Sequence, residues 1–438
     1  MNTDFASEKF LEGKPASGPD YFIWLSELCG AGSALPKKIY EAFGGNIRKA
    51  YEADFDEYVS MGFSENDAQL LCDKDFTRAN SIIDYCAENR VGLLCFGSDY
   101  YPQKLYETKT PPPVLYYKGH IERLRGGAYI TAVGSRKCSE EAYEAGYSFS
   151  YKLSCAGISI ISGLATGIDT ACTSGALDAG GFAVGVLGSG INILYPFENS
   201  ALFARMFRSG LVITEFSPYT EPKSVNFPIR NRIMAAMGDA VLVVEAGNKS
   251  GALITADFAA ELGKRIFAIP GSVTNPLCFG SNRLIRDGAT AVIDASDIIS
   301  EFEYCYPSVV SVRSSRRRTS DIKAGYISRR RRGKSAASPE KSEIKRRKTK
   351  EIHKPETVFS DRDATFSEND GKHEDLSMLS KTEKKVYEEL KKHSASANEL
   401  GQALSIPQDD LLSALTMLEI FGFIESLPGG IYAALQNI

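Results

Sequence analysis

Between residues 128 and 300, short and almost continuously apolar runs alternate with longer stretches of helical periodicity, a pattern that few folds accept. The runs read AYITAV, ISIIS, FAVGVL, LVITEF, AVLVVEA, RIFAIP and TAVID. A strand with one wet face alternates polar and apolar residues. These do not, so the sequence predicts strands covered on both faces by helices, that is, a parallel sheet in an α/β domain. In such sheets a ligand sits beyond the carboxyl ends of the strands. The loops that follow the runs are therefore where function is sought.

The flanks are different. Residues 1–19 read as a tail. From Tyr21 to about Arg90, apolar residues recur at three- and four-residue steps, as in YFIWLSELCG and KKIYEAFGG. This predicts a small helical domain over 20–90, of SAM or helix-hairpin-helix type. Its segment CGAGS, Cys29 to Ser33, reads first as a glycine turn between helices, and second as a set of backbone donors for a phosphate. Residues 91–127 hold three consecutive prolines, Pro111 to Pro113, which preclude a helix there. They read as an extended arm opening a larger domain over 91–305. Residues 306–375 are polar, charged and poor in aliphatics, so they read as a disordered basic linker. Over 376–438 three helical patterns precede FIESLPGGIYAAL, the outline of a winged helix. A chain of 438 residues with 43% hydrophobic content has material for about three domains.

Charge is distributed unevenly. The formal net charge is −4, yet residues 313–350 alone carry 16 Lys+Arg against 3 Asp+Glu, leaving −17 on the remainder. The basic run is thus a candidate auxiliary contact for nucleic acid, against the plainer reading of a solvated linker. The nine cysteines include no C-x-x-C pair and do not cluster with the four histidines. No zinc site is expected, and an unpaired thiol set fits a reducing compartment. No apolar run suits a signal peptide or a membrane span, so a cytoplasmic location is expected. A cofactor is not expected either. The third strand-end loop, VLGSGINILYP, has Gly188, Ser189 and Gly190 but Ile193 where a dinucleotide fingerprint requires glycine, and no Walker P-loop occurs.

The remaining loops are rich in small and cationic residues. In AVGSR, Gly134 lets the chain bend and Arg136 stands where an anion would sit. In ISGLATGID, Ser162 and Gly163 allow close approach of a ligand backbone, and Asp169 reads as a helix cap. PKSVNFPIRNRI brings Lys223, Phe227, Arg230, Asn231 and Arg232 together, a set suited to phosphate contact and base stacking. One of its two arginines is expected to pair with Glu215 or Glu245. Asn248, Lys249, Ser250 and Gly251 precede a helix whose free N–H groups favour anions. Asn282 follows in GSNRLIRDGA.

AVGSR, ISGLATGID, NFPIRNRI, KSGALITADFA, AIPG and GSNRLIRDGA resemble the signature loops of the DNA-processing protein A (DprA/Smf) family, densely over roughly 92–300. The resemblance implies an extended Rossmann-like domain that binds single-stranded DNA without base specificity. It also implies a homodimer that loads the RecA recombinase in natural transformation. It assigns DNA contact to Arg136, Lys223, Phe227, Arg230, Asn248, Lys249 and Ser250. Two positions depart from the family pattern: Thr166 stands where a basic residue is common, and Thr173 where a histidine is common.

Two other readings stay open. Related Rossmann-like phosphoribohydrolases hydrolyse nucleotides through a P-G-G-x-G-T-x-x-E motif. Its nearest counterpart here, KSGALITADFA, lacks the double glycine and offers Asp257 as an acid. A pure interaction scaffold is the third reading, and the 230–232 arginines speak against it. The expected function is a non-enzymatic mediator. The helix DDLLSALTMLEIFG of the winged region has Asp409, Asp410 and Glu419 and no Lys or Arg. We predict that the isolated 376–438 fragment does not bind duplex DNA at physiological salt. Micromolar binding in an electrophoretic shift assay would overturn this.

Overall fold

The computed structural model describes residues 17–310, 379–420, 423–427 and 430–435. The basic run at 313–350 and the tail over 1–16 lie outside them. Nine strands form one sheet: β1 (Gly92–Cys95), β2 (Val114–Gly119), β3 (Ala128–Val133), β4 (Ile158–Ser162), β5 (Ala183–Val186), β6 (Leu211–Thr214), β7 (Ala240–Val243), β8 (Arg265–Ala268) and β9 (Thr290–Ala291). Their spatial order is β1-β2-β6-β5-β4-β3-β7-β8-β9. From β3 to β9 every pairing is parallel. All seven apolar runs of the sequence become strands.

The chain starts this parallel set at β3, winds outward through β4 and β5 to β6, then returns to β7 on the other side of β3. The crevice between the ends of β3 and β7 is therefore the switch point. Alternate residues of each strand serve two cores. Ala128, Ile130 and Ala132 of β3, with Ala240 and Leu242 of β7, face one. Tyr129, Val133, Val241 and Val243 face the other, which the helices Asn226–Met237 and Gly251–Glu261 cover with Ile233, Met234, Ala252 and Ala256. Double burial explains the unbroken apolar runs.

The arm over 91–127 differs from its expectation as a mere connection. Its segments β1 and β2 pair with each other and β2 pairs with β6, both antiparallel, so they extend the sheet at its edge. The partner that joins them to the sheet, β6, is distant in sequence, and a single strand's composition does not announce such a pairing. The N-terminal helices, from Pro19–Cys29 to Thr77–Glu88, share the first core, where Phe22, Ile23 and Trp24 are buried. Past 305 the ordered chain continues at least to Val310, which is buried, five residues into the expected linker.

Helices Lys381–Leu390, Ala397–Leu404 and Gln408–Ile420 carry a small antiparallel sheet of β10 (Ala395–Ser396), β11 (Ile424–Leu427) and β12 (Ile431–Ala434), in the order β10-β12-β11. This is a winged helix. Capping boxes at Ser380/Glu383 and Ser396/Glu399 start its first two helices. No helix among the described residues is long and apolar enough to cross a membrane.

Helix Ala295–Cys305 is fastened through its N-cap. Asp294 accepts from Ser296 N at 2.9 Å and from Lys152 Nζ, on helix Glu140–Cys155, at 2.6 Å. Burial pushes the carboxyl up, but the bonds from Lys152 and Ser296 outweigh it and hold the group at about 2. A depressed folded pKa stabilises above the unfolded value near 4, and the gain is lost as pH falls through 2. Asn caps as well as Asp, so Asp294→Asn isolates the ion pair. The pair is half exposed, so the variant should lose under ~1 kcal/mol at pH 7. The gap to wild type should narrow from pH 5 to pH 3 in urea titrations; a gap independent of pH would refute the assignment.

Candidate nucleic-acid interface

The loop after β3 is held from β7. Ser135 N donates to Glu245 O at 2.8 Å, and the buried Glu245 carboxylate accepts from Ser139 Oγ at 2.6 Å and Ser139 N at 3.2 Å. Ser139 in turn caps helix Glu140–Cys155. Arg136 and Lys137 project from this fixed loop and are exposed. The Arg136 guanidinium lies 4.6 Å from the centroid of the half-buried Phe227 ring, within cation–π range.

Phe227 is placed by its own entry turn. Asn226 Nδ2 donates to Gly188 O at 3.1 Å and Glu221 O at 3.0 Å. Gly188 has to be glycine, since a Cβ would press on the Phe227 ring. Tyr195 lies against the other side of this turn, its ring centroid 5.9 Å from that of Phe227 and inclined by 33°.

Under the ring sits Arg230, 4% exposed. It donates to Gly163 O at 2.8 Å, to Val186 O, and to Asn231 Oδ1 at 3.0 Å. A Cβ on Gly163 would collide with the guanidinium. Asp169 faces it across the crevice. Burial lowers the Arg230 pKa and Asp169 raises it, leaving it at about 10, so it stays cationic at neutral pH. Asp169 itself is raised by burial, against Arg230 and backbone donors. Expected to cap its helix, Asp169 instead accepts from Gly163 N at 3.1 Å and Ala165 N at 3.3 Å, tying down the preceding loop. The reason is that Gly167 takes the N-cap position of helix Ile168–Asp178, and its φ of +76° turns the loop back over the carboxylate.

These parts enclose a cleft of about 750 Å³ at the switch point, lined among others by Arg136, Phe227, Arg230, Asn231, Lys249 and Ser250. Gly251 joins the lining, where helix Gly251–Glu261 starts under a Ser250 cap (Ala252 N to Ser250 Oγ, 3.3 Å). Asn231 Nδ2 steadies that start through Gly251 O at 3.2 Å. Gly163, Gly188 and Ser189 line a narrower recess that shares Arg136 and Phe227 with the cleft.

Other expected contacts fall elsewhere. Arg232 is paired with Glu215 in a buried bridge and takes the structural role predicted for one of the two arginines. Two residues along the helix rotate a side chain by about 200°, so Arg232 points away from the cleft that Arg230 lines. Gly32 of the CGAGS turn contributes an N–H to the same Glu215, whose pKa burial nonetheless raises. The glycine turn thus serves an internal carboxylate. Ser162 Oγ donates to Ala132 O at 3.0 Å and is 1% exposed. Gly190 packs on the backbone of Ser217 and Tyr219, where a side chain would not fit. Asn282 clamps the Pro270–Gly271 turn through paired bonds of 3.1 Å to Gly271. Lys223 and Asn248 are exposed outside the cleft lining, Lys223 near Glu221 at 3.7 Å. Asp257 is exposed on helix Gly251–Glu261 and does not line the cleft.

Reading the loops missed Tyr195 and Lys137, and it offered Glu245 as a partner for an arginine where the structure has Glu245 accepting from Ser139. Tyr195 stands among aliphatics in a long loop, where an aromatic usually means core. Glu245 follows β7 with no local sign of its partner a hundred residues away.

A doubly wound sheet with a cation–aromatic cleft at its switch point defines an extended Rossmann-like protein, here joined to a winged helix. Residues 92–303 match the family model described as DNA recombination-mediator protein A, and residues 372–430 match the DprA winged helix domain. The DNA processing protein DprA of Streptococcus pneumoniae is 39% identical over 206 residues, 47% of this chain and 72% of the relative. Protein Smf of Synechocystis is 31% identical over 288 residues, covering 64% and 71%. The X-ray structure of S. pneumoniae DprA superposes with a TM-score of 0.52 at 31% identity, covering 64% of this chain and 97% of that one. The chain belongs to the DNA-processing protein A (DprA/Smf) family.

The structural assignment of Arg232 is open to test. Arg232→Met leaves Glu215 buried without its counter-charge and should cost about 3–5 kcal/mol in urea unfolding. Arg232→Met/Glu215→Leu should recover most of it. A single variant as stable as wild type would return Arg232 to the list of ligand contacts.

Proposed function

We propose that this chain binds single-stranded DNA along the carboxyl edge of its sheet, as a non-enzymatic recombination mediator. The observation that carries the reading is the Arg136 guanidinium stacked 4.6 Å from Phe227 at the mouth of the cleft. A ring beside a cation serves an unpaired base and its phosphate together, without regard to base identity. Lys249 and the N-terminus of helix Gly251–Glu261 add positive potential on the far wall, and buried Arg230 adds it from below. Duplex bases have their faces already stacked and gain nothing from the ring.

The names of the relatives, a DNA processing protein and a recombination-mediator family, support the wider role. In that role the chain, as a homodimer, shelters incoming single strands and passes them to the RecA recombinase during transformation. Acceleration by this protein of RecA filament growth on strands coated with single-strand-binding protein would bear on that step. Asp257, the acid of the hydrolase alternative, is exposed and outside the cleft lining, which supports the non-enzymatic reading. Release of free base from a nucleoside monophosphate would overturn the non-enzymatic reading.

The primary test is fluorescence anisotropy with an oligothymidine and a matched duplex at several salt concentrations. Single-strand binding should be preferred and steeply salt-dependent. Arg136→Ala should weaken it at least about ten-fold and reduce the log–log salt slope by about 0.7, the share of one phosphate. Binding untouched by Arg136→Ala would move the interface away from the sheet edge.

A further inference from the structure

Beside the cleft, the loop after β5 carries two aromatic side chains that the core does not absorb. Tyr195 is 42% exposed and Phe197 is 65% exposed. Exposed large rings are unfavourable to display unless something covers them; Tyr195 stands at the cationic cleft and Phe197 follows two residues on. Tyr195 lines both the cleft and its recess, and its ring continues from that of Phe227 at 5.9 Å and 33°.

The segment is also held in place. Two residues beyond Phe197, the buried Asn199 donates to Leu164 O at 2.8 Å and accepts from Thr170 Oγ1 at 3.1 Å. Leu164 lies in the GLATGID segment, whose Ala165 and Asp169 line the cleft, and Thr170 follows that segment directly. On the near side, Asn192 Oδ1 accepts from Tyr219 N at 2.8 Å. The rings are therefore presented from a loop tied at both ends, so little side-chain or loop ordering is left for binding to impose.

Resting on the single-strand reading above, we infer that Tyr195 extends the base-stacking platform of Phe227, and that Phe197 continues it outward over the rim. The occupants are successive unpaired nucleobases of one DNA strand. The phosphate beside the first base is held by Arg136, whose guanidinium already lies on the Phe227 face. Tyr195 and Phe197 supply surface and no charge. Their contribution should differ from that of Arg136 in kind as well as in size: affinity falls on their removal, while the salt slope does not.

The test uses the full chain and oligothymidines carrying a single 2-aminopurine, moved base by base, or a single abasic site. Wild type should quench the probe at two or more adjacent positions, and an abasic site there should weaken binding. Tyr195→Ala should weaken binding by about 10- to 100-fold with an unchanged salt slope, and should abolish quenching at one position only. Tyr195→Phe should restore both. Phe197→Ala, at a more exposed position, should remove the outer position and leave the thermal unfolding midpoint in place. If wild type binds and Arg136→Ala abolishes binding, but quenching stays at one position and Tyr195→Ala binds like wild type, this inference fails while the sheet-edge reading stands. If wild type does not bind single strands at all, both fail. Should Tyr195→Ala unfold, the abasic scan on wild type decides alone: sensitivity at one position refutes the platform, and at two or more supports it.

Discussion

The ligand edge of this sheet depends on one buried guanidinium. Arg230 takes the carbonyls that end β4 and β5, the side chain of its neighbour Asn231, and the field of Asp169. An unpaired charge at this depth would be prohibitive, so these partners must all be in place together. Each partner constrains sequence in turn. Gly163 has no side chain because the guanidinium occupies its place. Asp169 folds the next loop back onto Gly163 and Ala165. Asn231, having accepted from Arg230, uses its amide to fix the start of the helix after β7. One residue thereby joins three strand-end loops into a single wall.

This changes how the cations of the site divide their work. Arg230 is nearly inaccessible, yet it remains charged, and the low-dielectric surroundings carry its field into the cleft. What it gives the cleft is a standing positive potential. Arg136 and Lys249 are exposed cations of the cleft lining. Arg232, two residues from Arg230, spends its charge on Glu215 and through it on the N-terminal helical domain. A run that reads as a single basic cluster, RNR, thus serves the site with one arginine and the core with the other.

Much of this was legible before the structure. The parallel sheet follows from strands apolar on both faces, and the winged helix from spacing plus its terminal hairpin. Arg136, Lys249 and Ser250 stand in loops after strands, and Phe227 and Gly251 at the starts of the helices that follow, where topology delivers them to one edge. What stayed hidden depends on contacts distant in sequence. Strands β1 and β2 were masked because three prolines stand between them and because β2 pairs across about a hundred residues with β6. Arg230 and Arg232 are indistinguishable by composition, and only helix rotation separates them. Tyr195 could not be told from a core aromatic, since its meaning lies in the ring it meets thirty-two residues later.

The loop entering helix Asn226–Met237 shows why the whole assembly is needed around so small a site. It must carry Phe227 at a fixed angle, yet it is built from exposed residues with few apolar anchors of its own. Its backbone turns at Tyr219, in the left-handed region at φ +67°. Bonds from outside hold that turn: Asn192 at its backbone, Thr220 O to Gly190 N at 2.8 Å, and Asp410 at the Tyr219 hydroxyl. Asp410 belongs to the winged helix, at the N-terminal end of helix Gln408–Ile420. An acidic residue at that end gives a hydroxyl a strong acceptor and a DNA backbone a repulsive neighbour. The acidic start of this helix thus braces the loop that carries Phe227.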